Sequence, residues 1–351
     1  MTAASKSNAD AAPVRGFTLT EVVVASALTG LLFLGFVPIF NMVRRALVEN
    51  DAKTAVKQLT ERAINRIDAN LREARRVYVR RITSWPANTG PNLVDDYSAY
   101  VDLAGSPPSL TGTQLHTRVS TAYVGNALFF AKQLPPLQVV TGITTTVGVT
   151  TTTVGVLVFY YYYVALAPGG RSFGTATERH LYEWKSVPYL EYGQLTRIGD
   201  ADLRAEVIKK LQSQGGWMAY DISQKLMNNA FYTLKPNGTL TAKPDQLIQR
   251  ASLTPLTTGV RGRTVSGYSV SLSPNSADLP LGSDKFLVPL VTGVTSWSGE
   301  SPSGFEITKT GKDRTRGATL LRIRLVLLAQ GPFKGFIARE GAVASMVQDV
   351  W

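Results

Sequence analysis

Residues 22–43 carry no Asp, Glu, Lys or Arg. At about 1.5 Å of rise per residue, a helix over this run is roughly 33 Å long, which matches the hydrocarbon core of a bilayer. The expectation is a transmembrane helix over residues 22–43. Lys6 and Arg15 lie on its N-terminal side, yet Arg44 and Arg45 follow it directly. The excess of positive charge on cytoplasmic loops therefore does not by itself fix which end faces the cytoplasm.

The residues before the run are ordered unlike a secretory signal, in which the small-residue cleavage site comes after the apolar core. Here Arg15-Gly16 precedes the core. The hexapeptide Gly16-Phe17-Thr18-Leu19-Thr20-Glu21 then leads straight into Val22-Val23-Val24-Ala25. This arrangement resembles the type III signal of type IV prepilins and type II secretion pseudopilins. In that family a membrane-embedded prepilin peptidase cuts after the glycine and methylates the new N-terminal phenylalanine. The resemblance makes residues 1–16 a leader, with Gly16 its last residue and Phe17 the mature N-terminus. It also implies a single-pass protein of the bacterial inner membrane with its head outside the cytoplasm. Its partners would be other pilin or pseudopilin subunits, the inner-membrane assembly platform and membrane lipid.

Glu21 stands at the edge of the span. A carboxylate at the centre of a membrane helix costs about 2.5–3.5 kcal/mol on insertion scales, and less near the interface, so it calls for a partner or for water. One reading places Glu21 in the headgroup layer. The resemblance implies another, in which it pairs with the Phe17 α-amino group of a neighbouring subunit. Gly30 and Pro38 lie inside the span, where each weakens helix. Either they mark a simple kink or, as the resemblance implies, they bracket a segment able to unwind inside a filament.

Beyond the span, Val56, Leu59, Ala63, Ile67, Leu71, Ala74 and Tyr78 recur three or four residues apart among charged residues. This spacing predicts an amphipathic continuation, so that one helix covers residues 17–81. Trp85-Pro86 and Asn88-Thr89-Gly90-Pro91 then break the pattern. The formal net charge is +12. Residues 44–81 hold 11 Lys and Arg against 5 Asp and Glu, which is half of that excess. Arg72, Arg75, Arg76, Arg80 and Arg81 cluster at the end of the segment. Only 18% of residues are charged, which is low for a dedicated nucleic-acid binder, so the cluster is read as a face for water, acidic neighbours or lipid headgroups.

Residues 82–351 are expected to form a β-rich head, giving an α+β chain of pilin-like design. Candidate strands are residues 127–131, 153–166, 180–184, 231–234, 268–272, 286–297 and 320–328, which are rich in β-branched and aromatic side chains. The threonine-rich residues 144–153 read as a hairpin or exposed loop. One helix interrupts over residues 200–214, with Leu203, Val207, Ile208 and Leu211 on one face and Gly215-Gly216 as its stop. Residues 287–294 with Trp297, followed by residues 320–327, resemble the late strands of W-type minor pilins and J-type pseudopilins. Leu71-Arg72-Glu73-Ala74 fits the end of their long helix.

No enzymatic constellation emerges. The absence of cysteine excludes disulfides, thiolate metal sites and a cysteine nucleophile. His116 and His180 show no ligand spacing and read as packing or surface residues. Gly311-Lys312 lacks the upstream glycine of a phosphate loop, Asp95-Asp96 lacks the spaced acids of a calcium loop, and Asn237-Gly238 reads as a turn. No cofactor is implied. The leading expectation is a structural subunit, a minor pilin or pseudopilin. A DNA-uptake or adhesive pilin using its basic surface is the alternative, and a signal-anchored enzyme is the third and weakest reading.

Overall fold

The computed structural model describes residues 16–80, 93–94, 100–102, 116–119, 122–125, 127–145, 148–166, 172–173, 176–177, 179–224, 226–257, 269–271, 296–298, 305–310, 318–330 and 336–348. The chain divides into two units, Met1–Asp51 and Ala52–Trp351. A single helix, α1 (Leu19–Leu71), supplies the described body of the first and enters the second. From residue 16 to residue 51 every side chain is exposed, whereas Val56, Thr60, Ala63, Ile64, Ile67, Asn70 and Leu71 are buried. The three-and-four spacing of that buried set follows from 3.6 residues per turn, which keeps them on one stripe. The long apolar N-terminal helix followed by a β-rich region makes the chain α+β.

In chain order the head then runs β1 (Ala74–Val77), β2 (Val79–Arg80), β3 (Leu93–Val94), β4 (His116–Val119), β5 (Ala122–Gly125), β6 (Ala127–Thr145), β7 (Gly148–Leu166), β8 (Ser172–Phe173), β9 (Ala176–Thr177), β10 (Arg179–Ser186), β11 (Tyr189–Glu191), α2 (Tyr192–Thr196), α3 (Ala201–Gln214), β12 (Met218–Tyr220), β13 (Phe231–Leu234), β14 (Leu240–Ala242), β15 (Arg250–Pro255), β16 (Ser269–Ser271), β17 (Ser296–Ser298), β18 (Phe305–Thr310), β19 (Ala318–Gln330) and β20 (Phe336–Gln348). Among the described residues there are two large sheets. One has the order β1-β6-β7-β11-β12-β13-β14, with β10 joined to β7 and β15 to β10. The other has the order β20-β19-β18-β5-β4-β2-β3. The chain passes directly from one to the other at β1–β2 and at β5–β6, and after β15 the next strand in either large sheet is β18, in the second.

The core explains the sequence pattern of β7. Its residues 157, 159, 161, 163 and 165 pack with Phe129, Trp184, Tyr189 and Phe231. Residues 158, 160, 162 and 164 pack with α1, Phe130 and the inner face of the second sheet, including Ile307, Ile323, Leu325 and Val347. A strand buried on both faces reads as a continuous apolar and aromatic run. Stacked or tilted ring pairs such as Phe130–Tyr160 at 5.6 Å and Tyr161–Tyr163 at 4.9 Å tighten it. The residues of α1 from Val56 onward therefore touch side chains of both sheets. On the other flank α3 buries Val207, Ile208 and Leu211 against Val139, Val154 and Leu190. Asp200 caps it by accepting from the amides of Asp202 and Leu203 at 2.9 and 3.1 Å, and Gly215 at φ 73° ends it.

Several expectations need correction. The first helix ends at Leu71, ten residues before Arg81, which itself lies outside the described residues. Ala74 and Tyr78 keep helical spacing, but Val77-Tyr78-Val79 is a β-favouring run that pairs with β6 and with the second sheet's strands. Arg76, expected on an outward face, is buried, and its Nη1 donates to the carbonyls of Ile222 and Gln224, the latter at 2.8 Å. The threonine-rich stretch, by contrast, lies as expected in a hairpin pairing of β6 with β7, with Thr144 opposite Val149. Tyr268, Leu272, residues 286–295, Asp95-Asp96 and Gly311-Lys312 lie outside the described residues.

One contact governs how β20 meets the helix. A Cβ at Gly341 would sit 2.5 Å from Thr60 Cγ2. Thr60 cannot yield easily: it is buried, β-branched and donates its hydroxyl to the Val56 carbonyl at 2.8 Å. Gly341→Val is expected to lose about 1–3 kcal/mol of stability through overpacking. Chemical denaturation of the full chain in detergent checks this, and an unshifted midpoint contradicts the packing described.

Candidate functional site

The first unit presents the residues that the sequence singles out. Gly16 and Phe17 precede the helix and are exposed, and a Cβ at Gly16 would meet nothing within 4 Å. Thr18 and Glu21 form a reciprocal cap. The Thr18 amide and hydroxyl donate to Glu21 Oε2 at 2.9 and 3.0 Å, and the Glu21 amide donates to Thr18 Oγ1 at 3.3 Å. This is the Thr-x-x-Glu capping box, which satisfies amide donors orphaned at a helix start. The Thr18-x-x-Glu21 spacing is itself present in the sequence. Glu21 thus has an intramolecular role, the start of α1, before any partner is invoked.

The apolar run lies within α1, and this helix is long and apolar enough to cross a membrane, with none of its most apolar stretch buried. Two of its polar side chains turn back on the backbone: Ser26 Oγ donates to the Val22 carbonyl and Thr29 Oγ1 to that of Ala25, each at 2.7 Å. Such bonds suit a hydrocarbon solvent that offers no partners. The helix continues through both Gly30 and Pro38. Pro38 has no amide proton to give to the carbonyl four residues earlier, so one rung of the ladder is missing there. No atom lies within 4 Å of a Cβ built at Gly30. The packing of this chain alone does not require glycine at that position.

The structure brings Thr18 and Glu21 together and keeps Gly16 and Phe17 beside them. Gly30 and Pro38 stand further along the same helix and share no contact with that cap. His180, half-buried in β10, lies 6.0 Å from the Tyr182 ring, which agrees with a packing role. Asn237 makes the expected turn, accepting from the Thr239 amide and hydroxyl beside Gly238 at φ 82°.

A second polar constellation, invisible in the sequence, fixes α1 against the head. Glu183 of β10 is 2% exposed and accepts from Arg66 Nε and Nη2 at 3.0 and 2.9 Å. It also accepts from the Tyr162 hydroxyl at 2.7 Å. Asn70 Nδ2 donates to the Tyr162 oxygen at 2.7 Å, and Lys132 Nζ donates to Asn70 Oδ1 at 3.2 Å while pairing with Glu73 at 2.9 Å. Burial, and then the charge of Glu183, push the Tyr162 phenol well above its ordinary range, so it stays protonated and donates. These residues come from α1 and the turn after it, β6, β7 and β10, separated by up to 117 positions. Comparison with protein-family models, with curated proteins and with solved structures yields no match.

Removing the carboxylate leaves Tyr162 and Asn70 buried with fewer partners, while Arg66, 58% exposed, turns to water. Glu183→Ala is expected to cost about 3 kcal/mol, at the low end for a broken buried pair. Amide exchange of residues 52–71 should rise accordingly in the full chain, and unchanged protection would contradict a fixing role.

Proposed function

We propose that the chain is a prepilin-like structural subunit, a minor pilin or pseudopilin, processed after Gly16 and inserted through α1 into a filament or its membrane-bound assembly complex. The observation that carries this reading is the fully exposed apolar half of α1 led by Gly16-Phe17-Thr18-Leu19-Thr20-Glu21. An apolar surface of that length needs lipid or other helices around it. A cleavage site placed before the apolar run leaves that run on the mature protein, where it can serve first as anchor and then as a packing surface. The remainder of α1 is welded into the head, so the head travels with the helix. On this reading the partners are other subunits, the peptidase, the assembly platform and lipid, and the head lies outside the cytoplasm.

The capping box allows Glu21 to be tested more sharply than by deletion. Glutamine at the third helical position still completes a capping box, whereas it cannot neutralise an ammonium group. If Glu21 only starts the helix, Glu21→Gln is tolerated. If Glu21 pairs with the Phe17 amine of a neighbour, Glu21→Gln is processed and retained in membranes but incorporated into sheared filaments or subunit complexes at least about tenfold less, the equivalent of about 1.4 kcal/mol. Normal incorporation of Glu21→Gln contradicts the assembly role.

A further inference from the structure

Where α1 ends, the head carries an open cleft of about 690 Å³. Arg72 of the α1–β1 junction and Arg75 of β1 line it, together with Leu134, Pro135 and Pro136 of β6 and Met346 of β20. The floor is apolar for a structural reason. Leu134 pairs with Val156 and Leu137 with Val154, so Pro135 and Pro136 both face Gly155 in a bulge, where proline's missing amide breaks no ladder bond. Met346 is 65% exposed, the most exposed large hydrophobe among the described residues of Ala52–Trp351. Exposed methionine beside prolines is an adaptable contact surface.

The rim is basic. Arg72 directs both Nε and Nη2 at a single oxygen of Asp68, at 3.0 and 2.7 Å, and remains 74% exposed. Arg75 is exposed as well, with Glu191 in electrostatic reach of it, and among the described residues that line the cleft the one acid, Glu73, is already paired with Lys132 at 2.9 Å. Guanidinium groups above an aliphatic floor complement an extended peptide that alternates acidic and aliphatic side chains. A second copy of this chain is disfavoured, since two bodies of formal charge +12 repel. Nucleic acid fits less well, because none of the described residues that line the cleft is aromatic and able to stack a base.

We propose that this cleft docks an acidic, extended segment of a different protein. The surface lies wholly beyond Ala52, so the proposal goes beyond the processing and assembly reading and stands or falls separately from it.

The test uses the full chain in detergent micelles and fluorescence anisotropy of three labelled probes: an alternating Glu-Leu peptide, its Gln-Leu analogue, and oligothymidylate. The Glu-Leu peptide should bind, weaken as salt rises, and exceed the Gln-Leu analogue. Both the double variant Arg72→Ala, Arg75→Ala and the single variant Met346→Glu should weaken it by about tenfold or more. Lys57→Ala, outside the cleft, should leave it unchanged. No binding of the acidic peptide, equal binding of its neutral analogue, or indifference to the cleft variants overturns the proposal. So does tighter binding of oligothymidylate that depends on the same arginines.

Discussion

The structure depends on one helix whose two halves differ in burial. Up to Asp51 the side chains of α1 are exposed, and those from Val22 to Val43 are uncharged, so burial against lipid or other helices is their one route out of water. From Val56 the same helix buries a narrow stripe against two sheets at once. Such a stripe is made of similar residues one turn apart, so apolar contact alone tolerates sliding. Two features forbid it. On one side Glu183 takes Arg66, and Tyr162 takes Asn70. On the other, Thr60 seats against the bare Cα of Gly341. A slip by one turn would bring Ile64 or Val56 to the glycine and misplace the polar pairs. Registry of this kind is the best-attested use of buried polar groups.

How much of this was legible beforehand depended on whether the signal was local. The apolar run, the amphipathic stripe to Leu71, the helix that ends at Gly215 and the strand Phe231–Leu234 are readable because periodicity, helix stops and β-branched content are properties of neighbours in sequence. The end of α1 was not, because Ala74 and Tyr78 continue a helical spacing while the pairing that claims them belongs to β6, more than fifty residues on. β20 was missed altogether: Arg339, Glu340, Gly341 and several alanines dilute its β character, and its existence rests on a thirteen-pair ladder with β19. The burial of Arg76 was unreadable for the same reason, since its carbonyl acceptors lie in a distant loop.

The candidate site divides along the same line. Gly16, Phe17, Glu21, Gly30 and Pro38 were legible as a pattern, and the structure adds the chemistry of the Thr18–Glu21 cap and the open space around Gly16 and Gly30. The Glu183 constellation was not legible at all, because its members reach it from four elements. The arginine cluster also resolves only in three dimensions: Arg76 points inward, whereas Arg72 and Arg75 line one cleft. Charge counting alone gave these residues one common role, and packing separates them.

The central claim is that the exposed half of α1 belongs to a processed subunit, with cleavage ahead of the apolar run. Mass spectrometry of the N-terminal peptide of the protein recovered from membranes tests it directly. The account predicts a mature chain that begins at Phe17 with a methylated amine and retains the whole of α1. A chain that still begins at Met1, or one cut after residue 43, would contradict it.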